Sequence, residues 1–495
     1  MLVHVSGPAY SDSLISAYSR NIEEGAKASL NDRVEGVLLG TAAGDALGAP
    51  YEFQPPRGPE LPVGMAGGGP WGPGEWTDDT SMAIAIAEVA ATGADLRDRE
   101  AQDAIVTRWY EWSRGAKDVG IQTRSVLSAA GRGGTITAAA ARAAAADLHA
   151  REGRSGGNGS LMRTAPVAIA YLDDEDAMVQ AARAISELTH FEADAAEATV
   201  LWCSAIRHAV LTTELDARIG LHHIAPDRRA LWSQRLDEAE GSRPADFPKN
   251  GWVVGALQAA WSAIVTTAGE GRGPEHLRRG IDAAVRSGND TDTVAAIAGG
   301  LLGAAYGASA VPLQWRTLLH GWPGMRARGL VRLATAIEQK KPSTDPDYSW
   351  SRADVLVPHP YDSKVLLGSV GALRKLPAEV TAVVSLCRIP ESDVPEGMPH
   401  VEARLIDKTD TDENPHLDFV LLDTVDTIEE LRAQGHTVLV HCVESYSRTP
   451  TVAALYGAQS CDVGAEQALA DVLAELPDAN PNPMFREALR RLSKR

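Results

Sequence analysis

Gly288–Ala308 reads GNDTDTVAAIAGGLLGAAYGA, an acidic turn running directly into an alanine- and glycine-rich stretch. Apolar residues return there with helical period, and the Asp and Thr residues before them are of the kind that starts helices. The same character recurs through the longer first part of the chain. VEGVLLGTAAGDALG, SMAIAIAEVAATG, TITAAAARAAAADLHA, EATVLWCSAIRHAVL and WVVGALQAAWSAIVTTAG repeat at helical period, with Gly, Pro or Asp turns between them. Strand-like alternation is scarce. Residues 31–339 are therefore expected to be all-α, a compact multi-helix bundle whose alanines and glycines permit close helix–helix approach. Residues 1–30 are polar and weakly patterned, an expected extension or cap. The polar stretch around Asp237–Asp246 reads as a surface loop.

The character changes after KKPSTDPDYSWSR (Lys340–Arg352), which is rich in Pro, Ser and Asp and reads as a linker, residues 340–352. In residues 353–495 the short β-branched runs ADVLVP, VTAVVSLCRI, HVEARLID and HTVLVHC alternate with helical segments such as LDFVLLDTVDTIEELRAQ. That alternation predicts a small α/β domain around a central parallel sheet.

Composition narrows the function classes. The 495 residues hold 47 Lys and Arg against 66 Asp and Glu, a net charge of −19. General affinity for nucleic acid or anionic membranes is disfavoured, although a local basic pocket for phosphate is not. The four cysteines, Cys203, Cys387, Cys442 and Cys461, form no CxxC pair. A zinc site or disulfide framework is therefore not expected, and a reducing cytoplasm is. No apolar run reaches the ~18 residues of a membrane span, and the N-terminal stretch lacks a basic, then apolar, leader pattern.

Two acidic clusters carry chemistry in the first part: WTDDTS (Trp76–Ser81) and GNDTDT (Gly288–Thr293), each directly before a helix. Thr77, Asp78, Asp79, Asp290, Asp292 and Thr293 offer hard oxygen ligands and no sulfur or imidazole, a set suited to Mg²⁺, Mn²⁺ or Ca²⁺. Either cluster alone reads more simply as a helix cap. Two matching clusters shift the balance toward a shared metal site, in which two ions would sit about 3.5–4 Å apart. GVLLGTAAGDALGAPYEF (Gly36–Phe53) adds Asp45 and Glu52. GRSGGNGSLMRTAPVAIA (Gly153–Ala170) is a glycine-rich loop entering a helix, able to present N–H groups to a pyrophosphate. ELTH puts His190 at a helix end.

In this order, GDALGAPYEF, WTDDTSMA, DVGIQTRSVL, GNGSLMRTAPVA, LTH and GNDTDTVAAIAGGLLGA resemble the ADP-ribosylglycohydrolases, over roughly residues 31–333. The resemblance implies an all-α fold holding two Mg²⁺ or Mn²⁺ ions. It implies Thr77, Asp78, Asp79, Asp290, Asp292 and Thr293 as metal ligands and Glu52 as the acid near the scissile bond. It makes Ser155, Gly156, Gly157, Asn158, Gly159 and His190 the ADP-ribose contacts. The chemistry is coherent without the family: cleavage at an anomeric carbon builds oxocarbenium character, and a carboxylate such as Glu52 or Asp79 would assist proton transfer.

VLVHCVESYSRTP (Val438–Pro450) places a β-run, then His441–Cys442, five residues, Arg448–Thr449, and an apolar helix. Such a loop presents N–H groups to phosphate, and the helix N-terminus favours a thiolate nucleophile at Cys442. Arg448 can clamp phosphoryl oxygens, and Thr449 can hydrogen-bond the departing thiolate. The second domain resembles the dual-specificity branch of the protein tyrosine phosphatases, over roughly residues 354–473. The resemblance makes Cys442 the nucleophile and Arg448 the phosphate ligand. It also calls for an upstream aspartate as general acid: Asp407 by position, Asp410 as runner-up. It departs from the family pattern at Ser445, where a glycine usually eases the loop.

The expectation is thus a metal-dependent hydrolase acting on an ADP-ribosylated protein side chain or small ADP-ribose conjugate. It is fused to a cysteine-dependent phosphatase-like domain acting on phosphotyrosine, phosphoserine or a small phosphate ester. The alternative is a regulatory protein that senses ADP-ribose without turnover and docks a phosphorylated partner.

Overall fold

The computed structural model describes residues 12–351, 353–409, 411–461 and 463–493. From Asp12 to Gln339 the regular elements are helices joined by loops, apart from a short hairpin pairing His320–Gly321 with Met325–Arg326. The helices that position the sites are α1 (Asp12–Gly48), α2 (Asp78–Ala90), α3 (Thr291–Tyr306), α4 (Leu313–Leu318) and α5 (Ala327–Gln339). No described helix is long and apolar enough to cross a membrane.

The long α1 and α3 lie antiparallel with their backbones in contact, and glycine is why. A Cβ added at Gly36 would lie 2.2 Å from the carbonyl oxygen of Gly303; at Gly40, 2.2 Å from that of Gly299; at Gly44, 2.0 Å from that of Ala295. Those distances are far inside van der Waals contact, so only glycine fits. The approach continues to Gly48, which touches the Asp292 backbone. The C-terminal end of α1, carrying Asp45, therefore lies against the start of α3, carrying Asp292.

Two sequence expectations need correction. Helix α1 starts at Asp12 and runs through residue 30 without a break, so the described part of the N-terminal stretch is helical. Asp237–Glu240 are the last turn of a helix, Pro226–Glu240, because Trp232, Leu236 and Ala239 recur at helical spacing and are buried.

The C-terminal region is built on a five-stranded sheet: β1 (Leu356–Pro358), β2 (Val365–Gly368), β3 (Ala382–Ser385), β4 (His400–Glu402) and β5 (Val438–His441), in the order β1-β2-β5-β3-β4. All neighbours are parallel except β1 with β2. The short link between that pair leaves no room for the crossover a parallel connection needs. Strand β2 was also not among the expected strands. Helices α6 (Leu417–Ala433) and α7 (Arg448–Ser460) cover one face; Val365, Leu367, Val384, Val438 and Val440 pack in the core beneath them.

The two regions are joined by buried charges on α1. Glu35 pairs with Arg388, and Asp32 pairs with Arg404 at 3.4 Å. The Leu313 N–H, at the start of α4, donates to Asp423 Oδ2 of α6 at 2.8 Å.

Candidate functional site

Helix packing gathers the acidic residues of three separate stretches. Asp45, fully buried, caps α2 from outside: its Oδ1 accepts the Thr77 N–H at 2.9 Å, and its Oδ2 accepts from the Thr80 N–H at 3.0 Å and hydroxyl at 2.6 Å. The capping role that Asp residues offer is thus filled here by a residue from another helix. That leaves the α2 aspartates available. Thr77 Oγ1 donates to Asp79 Oδ2 at 2.9 Å, while Asp79 Oδ1 is buried with no hydrogen-bond partner.

The second cluster arrives on a turn fixed by its neighbours. Asn289 adopts a positive φ of 59°, and its backbone pairs with the segment after α1: Phe53 N–H to Asn289 O at 2.6 Å, Asn289 N–H to Gln54 O at 2.7 Å. This pairing brings Glu52 beside the turn. Buried Asn250 fastens it from the other side, donating to Gly288 O at 2.8 Å and accepting the Asp290 N–H at 3.2 Å. Thr293 hydrogen-bonds the Asp290 carboxyl.

Carboxylate oxygens of Asp45, Asp79 and Asp292 lie within 4.8 Å of one another, as do those of Glu52, Asp290 and Asp292. Asp292 belongs to both groups, and its Oδ1 is a second buried oxygen without a partner. Burial and mutual repulsion push these acids upward. Asp78 rises to about 7 and Glu52 to about 8, and Asp79 and Asp292 rise well above the usual carboxylate range. Orphaned oxygens among crowded carboxylates are what a bound cation relieves, and an all-oxygen set fits Mg²⁺ or Mn²⁺. Asp78 lies at the edge of this set, accepting the Gly120 N–H at 3.3 Å.

The glycine-rich loop sits against the cluster. Asn158 Nδ2 donates to Asp290 Oδ2 and to Asn250 O, both at 2.8 Å. The Ser155 N–H is held by Glu192 Oε2 at 2.6 Å, and Gln122 Nε2 donates to Ser155 O at 2.9 Å. His190 is buried behind the loop: a Cβ at Gly157 or Gly159 would lie 3.2 Å or 3.0 Å from its ring. Thr189 Oγ1 orients that ring at 2.8 Å and is itself held by the buried Arg163 at 2.6 Å. All six expected metal ligands, Glu52 and the loop therefore form one neighbourhood. The sequence reading left Asp45 outside its ligand set and missed Asn250, Gln122, Glu192 and Arg163. Asp45 was visible only as one acid in a glycine-rich helix, and a lone Asn or Gln gives no signal.

The second site lies at the C-terminal end of β5. Cys442 is buried, and the loop after it bends at Ser445, whose φ is +57°. That is the left-handed region where glycine is at ease and serine costs about 1–2 kcal/mol. Arg448, the first residue of α7, fixes one end of its guanidinium by donating Nη1 to Leu386 O at 2.9 Å and Leu405 O at 3.1 Å. Its Nε is buried without a partner, as are the hydroxyls of Ser445 and Thr449. Asp407 is exposed beyond β4. Asn482, which sequence did not flag, donates Nδ2 to Asp407 Oδ1 at 2.9 Å and its N–H to Ser447 Oγ at 3.1 Å. Asp407 is thereby tethered to the loop after Cys442. Asp410, the runner-up, lies outside the described residues.

Behind the loop a polar row crosses three adjacent strands. Ser385 Oγ meets His441 Nε2 at 2.7 Å and His400 Nε2 at 2.9 Å, and Arg328 of α5 reaches His400 Nδ1 at 3.1 Å. Burial holds both histidines neutral, with His441 lowered to about 4 and His400 to about 3.

The family described as ADP-ribosylglycohydrolase matches residues 26–344. An ADP-ribosylarginine hydrolase of Pseudomonas putida (strain GB-1) is 31% identical over 295 residues, 57% of this chain and 73% of that protein. The ADP-ribosyl-[dinitrogen reductase] glycohydrolase of Rhodospirillum rubrum is 28% identical over 59% of this chain and 91% of its own length. The C-terminal region is similar to dual specificity protein phosphatase 1 of Arabidopsis thaliana, 30% identical over 142 residues, 28% of this chain and 70% of that protein.

Proposed function

The chain belongs to the ADP-ribosylglycohydrolase family, with a dual-specificity-phosphatase-like region after it, and from there we propose that its helical region is a metal-dependent hydrolase releasing ADP-ribose from modified arginine side chains. The observation that carries this reading is the pair of orphaned, buried oxygens, Asp79 Oδ1 and Asp292 Oδ1, inside a ring of carboxylates. In it Thr77, Asp78, Asp79, Asp290, Asp292 and Thr293 hold Mg²⁺ or Mn²⁺, and Asp45 fixes the α2 end of the site. The bound metal would supply positive charge for the ribose hydroxyls and an activated water. Glu52, at the edge and with its carboxyl raised to about 8, is suited to hand a proton to the departing guanidine nitrogen. The 155–159 loop and His190 shape the wall for the ADP-ribose pyrophosphate.

The C-terminal region, in the same proposal, hydrolyses phosphate monoesters. Cys442 Sγ attacks phosphorus, Arg448 holds the phosphoryl oxygens, and Asp407 protonates the leaving oxygen. Water then releases phosphate from the thiol.

The test is release of ADP-ribose from an ADP-ribosylarginine peptide by the full chain with Mg²⁺ or Mn²⁺. Release is expected in wild type and at least 100-fold less in Glu52→Gln and Asp292→Ala. A folded wild type that releases nothing with either metal contradicts the reading.

A further inference from the structure

A cavity of about 730 Å³ lies where the two regions meet. One wall is helical: Arg316 of α4, Arg326 of the short hairpin and Arg328 of α5. The other runs from residue 392 through β4 and includes Glu396, His400 and Glu402. Three guanidinium groups therefore meet two carboxylates, a positive lining in a chain of net charge −19.

The partners are unevenly used. Glu402 Oε1 forms an ion pair with Arg328, 3.2 Å from its Nε, and accepts the Ile389 N–H at 3.2 Å. Arg328 also serves His400 and the Ile389 carbonyl. Neither Arg316 nor Arg326 makes a side-chain hydrogen bond or ion pair with any described residue. Arg316 is also desolvated, and burial pulls it below the usual arginine value although Glu402, Asp32, Asp423 and Glu35 pull the other way. Arg316 is half-buried and Arg326 exposed, so both keep guanidinium donors open to an acceptor in the cavity. These two forks, on separate elements, line one space within the ~300–1,000 Å³ range of small-molecule pockets.

We propose that this cavity binds a small phosphorylated ligand, up to a nucleotide in size, through Arg316 and Arg326. Planar guanidinium pairs match phosphate oxygens in bidentate fashion, which a single carboxylate would satisfy only at one of the two. The cavity shares no lining residue with the carboxylate cluster or the 442–448 loop. Because both regions form its walls, the ligand bridges them. It also lies against Arg328 and His400, the outer members of the row that ends at His441.

The experiment uses the full chain carrying Arg448→Met, which disables the phosphate loop, in a metal chelator, titrated calorimetrically with inorganic pyrophosphate. Binding is expected, with one site weakened at least tenfold when Arg316→Gln and Arg326→Gln are added. Arg326 is exposed, so Arg326→Gln alone is the safe variant should Arg316→Gln fail to fold; it is expected to weaken the same site at least threefold. No pyrophosphate uptake by the Arg448→Met chain, or uptake indifferent to Arg326→Gln, overturns the proposal.

Discussion

The carboxylate cluster at the end of α1 and the phosphate loop at the start of α7 are both buried beside helix N-termini, yet the atoms they leave unpaired are opposite in kind. In the first, the orphans are acceptors, Asp79 Oδ1 and Asp292 Oδ1. In the second, a cationic donor and two hydroxyls are left over: Arg448 Nε, Ser445 Oγ and Thr449 Oγ1. A folded chain normally pairs its buried polar atoms, so each set marks the complement of what belongs there. In the proposed function the first site takes cations and the second an oxyanion. The backbone solutions differ too. The helical site uses glycines at each place where α1 meets α3, whereas the phosphate loop carries serine where its φ favours glycine.

The largest expected effects come from crossing the two sites. Asp79→Ala should lower ADP-ribose release at least 100-fold while leaving vanadate binding by the phosphate loop within twofold. Arg448→Met should abolish vanadate binding and leave Mn²⁺ uptake intact. If either substitution damages both functions in a chain that melts normally, the sites are not separate. Next, Gly44→Ala should destabilise the helical region by about 3 kcal/mol, because its Cβ would lie 2.0 Å from a backbone oxygen that cannot yield. Denaturant melts of the metal-free chain measure this, and a loss under 1 kcal/mol would mean that α1 and α3 can separate without cost.

The buried histidine row gives an intermediate effect with a definite sign. His400 and His441 have folded values lowered to about 3 and about 4, below the unfolded value of ~6.5. Their neutral burial therefore contributes stability above pH ~6.5 that is lost as pH falls toward the folded values. A loss of roughly 2 kcal/mol or more between pH 6.5 and 4 is expected for the α/β region, and His400→Gln with His441→Gln should flatten it. An unchanged acid limb in that double variant removes the row from the account. The smallest effect is Ser445→Gly, expected to stabilise by about 1 kcal/mol through relief of the left-handed φ. It should not lower phosphatase turnover; destabilisation would mean that the serine hydroxyl has a partner in solution.

Much of this was legible in the sequence because the signals are local. Acidic turns before helical periods gave both halves of the carboxylate cluster, and the spacing from Cys442 to Arg448 gave the loop. What stayed hidden depends on tertiary neighbours. Asp45 looks like any acid in a helix until packing sets it against Thr77 and Thr80, and it removes the capping duty that had competed with ligation. Asn250 and Asn482 act by clamping turns far away in sequence, Gly288–Asp290 and Asp407, and no periodicity announces that. Strand β2 was missed because Val365–Gly368 is too short and uniform to show alternation; parallel pairing with β5 and burial decide it. The antiparallel β1 follows from a short connection that apolar patterning does not encode.

The most direct test of the central claim is calorimetric titration of Mn²⁺ into chelator-stripped wild type, Asp292→Asn and Cys442→Ser chains. Asp292 belongs to both carboxylate groups, so the account predicts uptake by wild type and Cys442→Ser alike and at least a tenfold weaker response in Asp292→Asn. Equal Mn²⁺ binding by wild type and Asp292→Asn would contradict it.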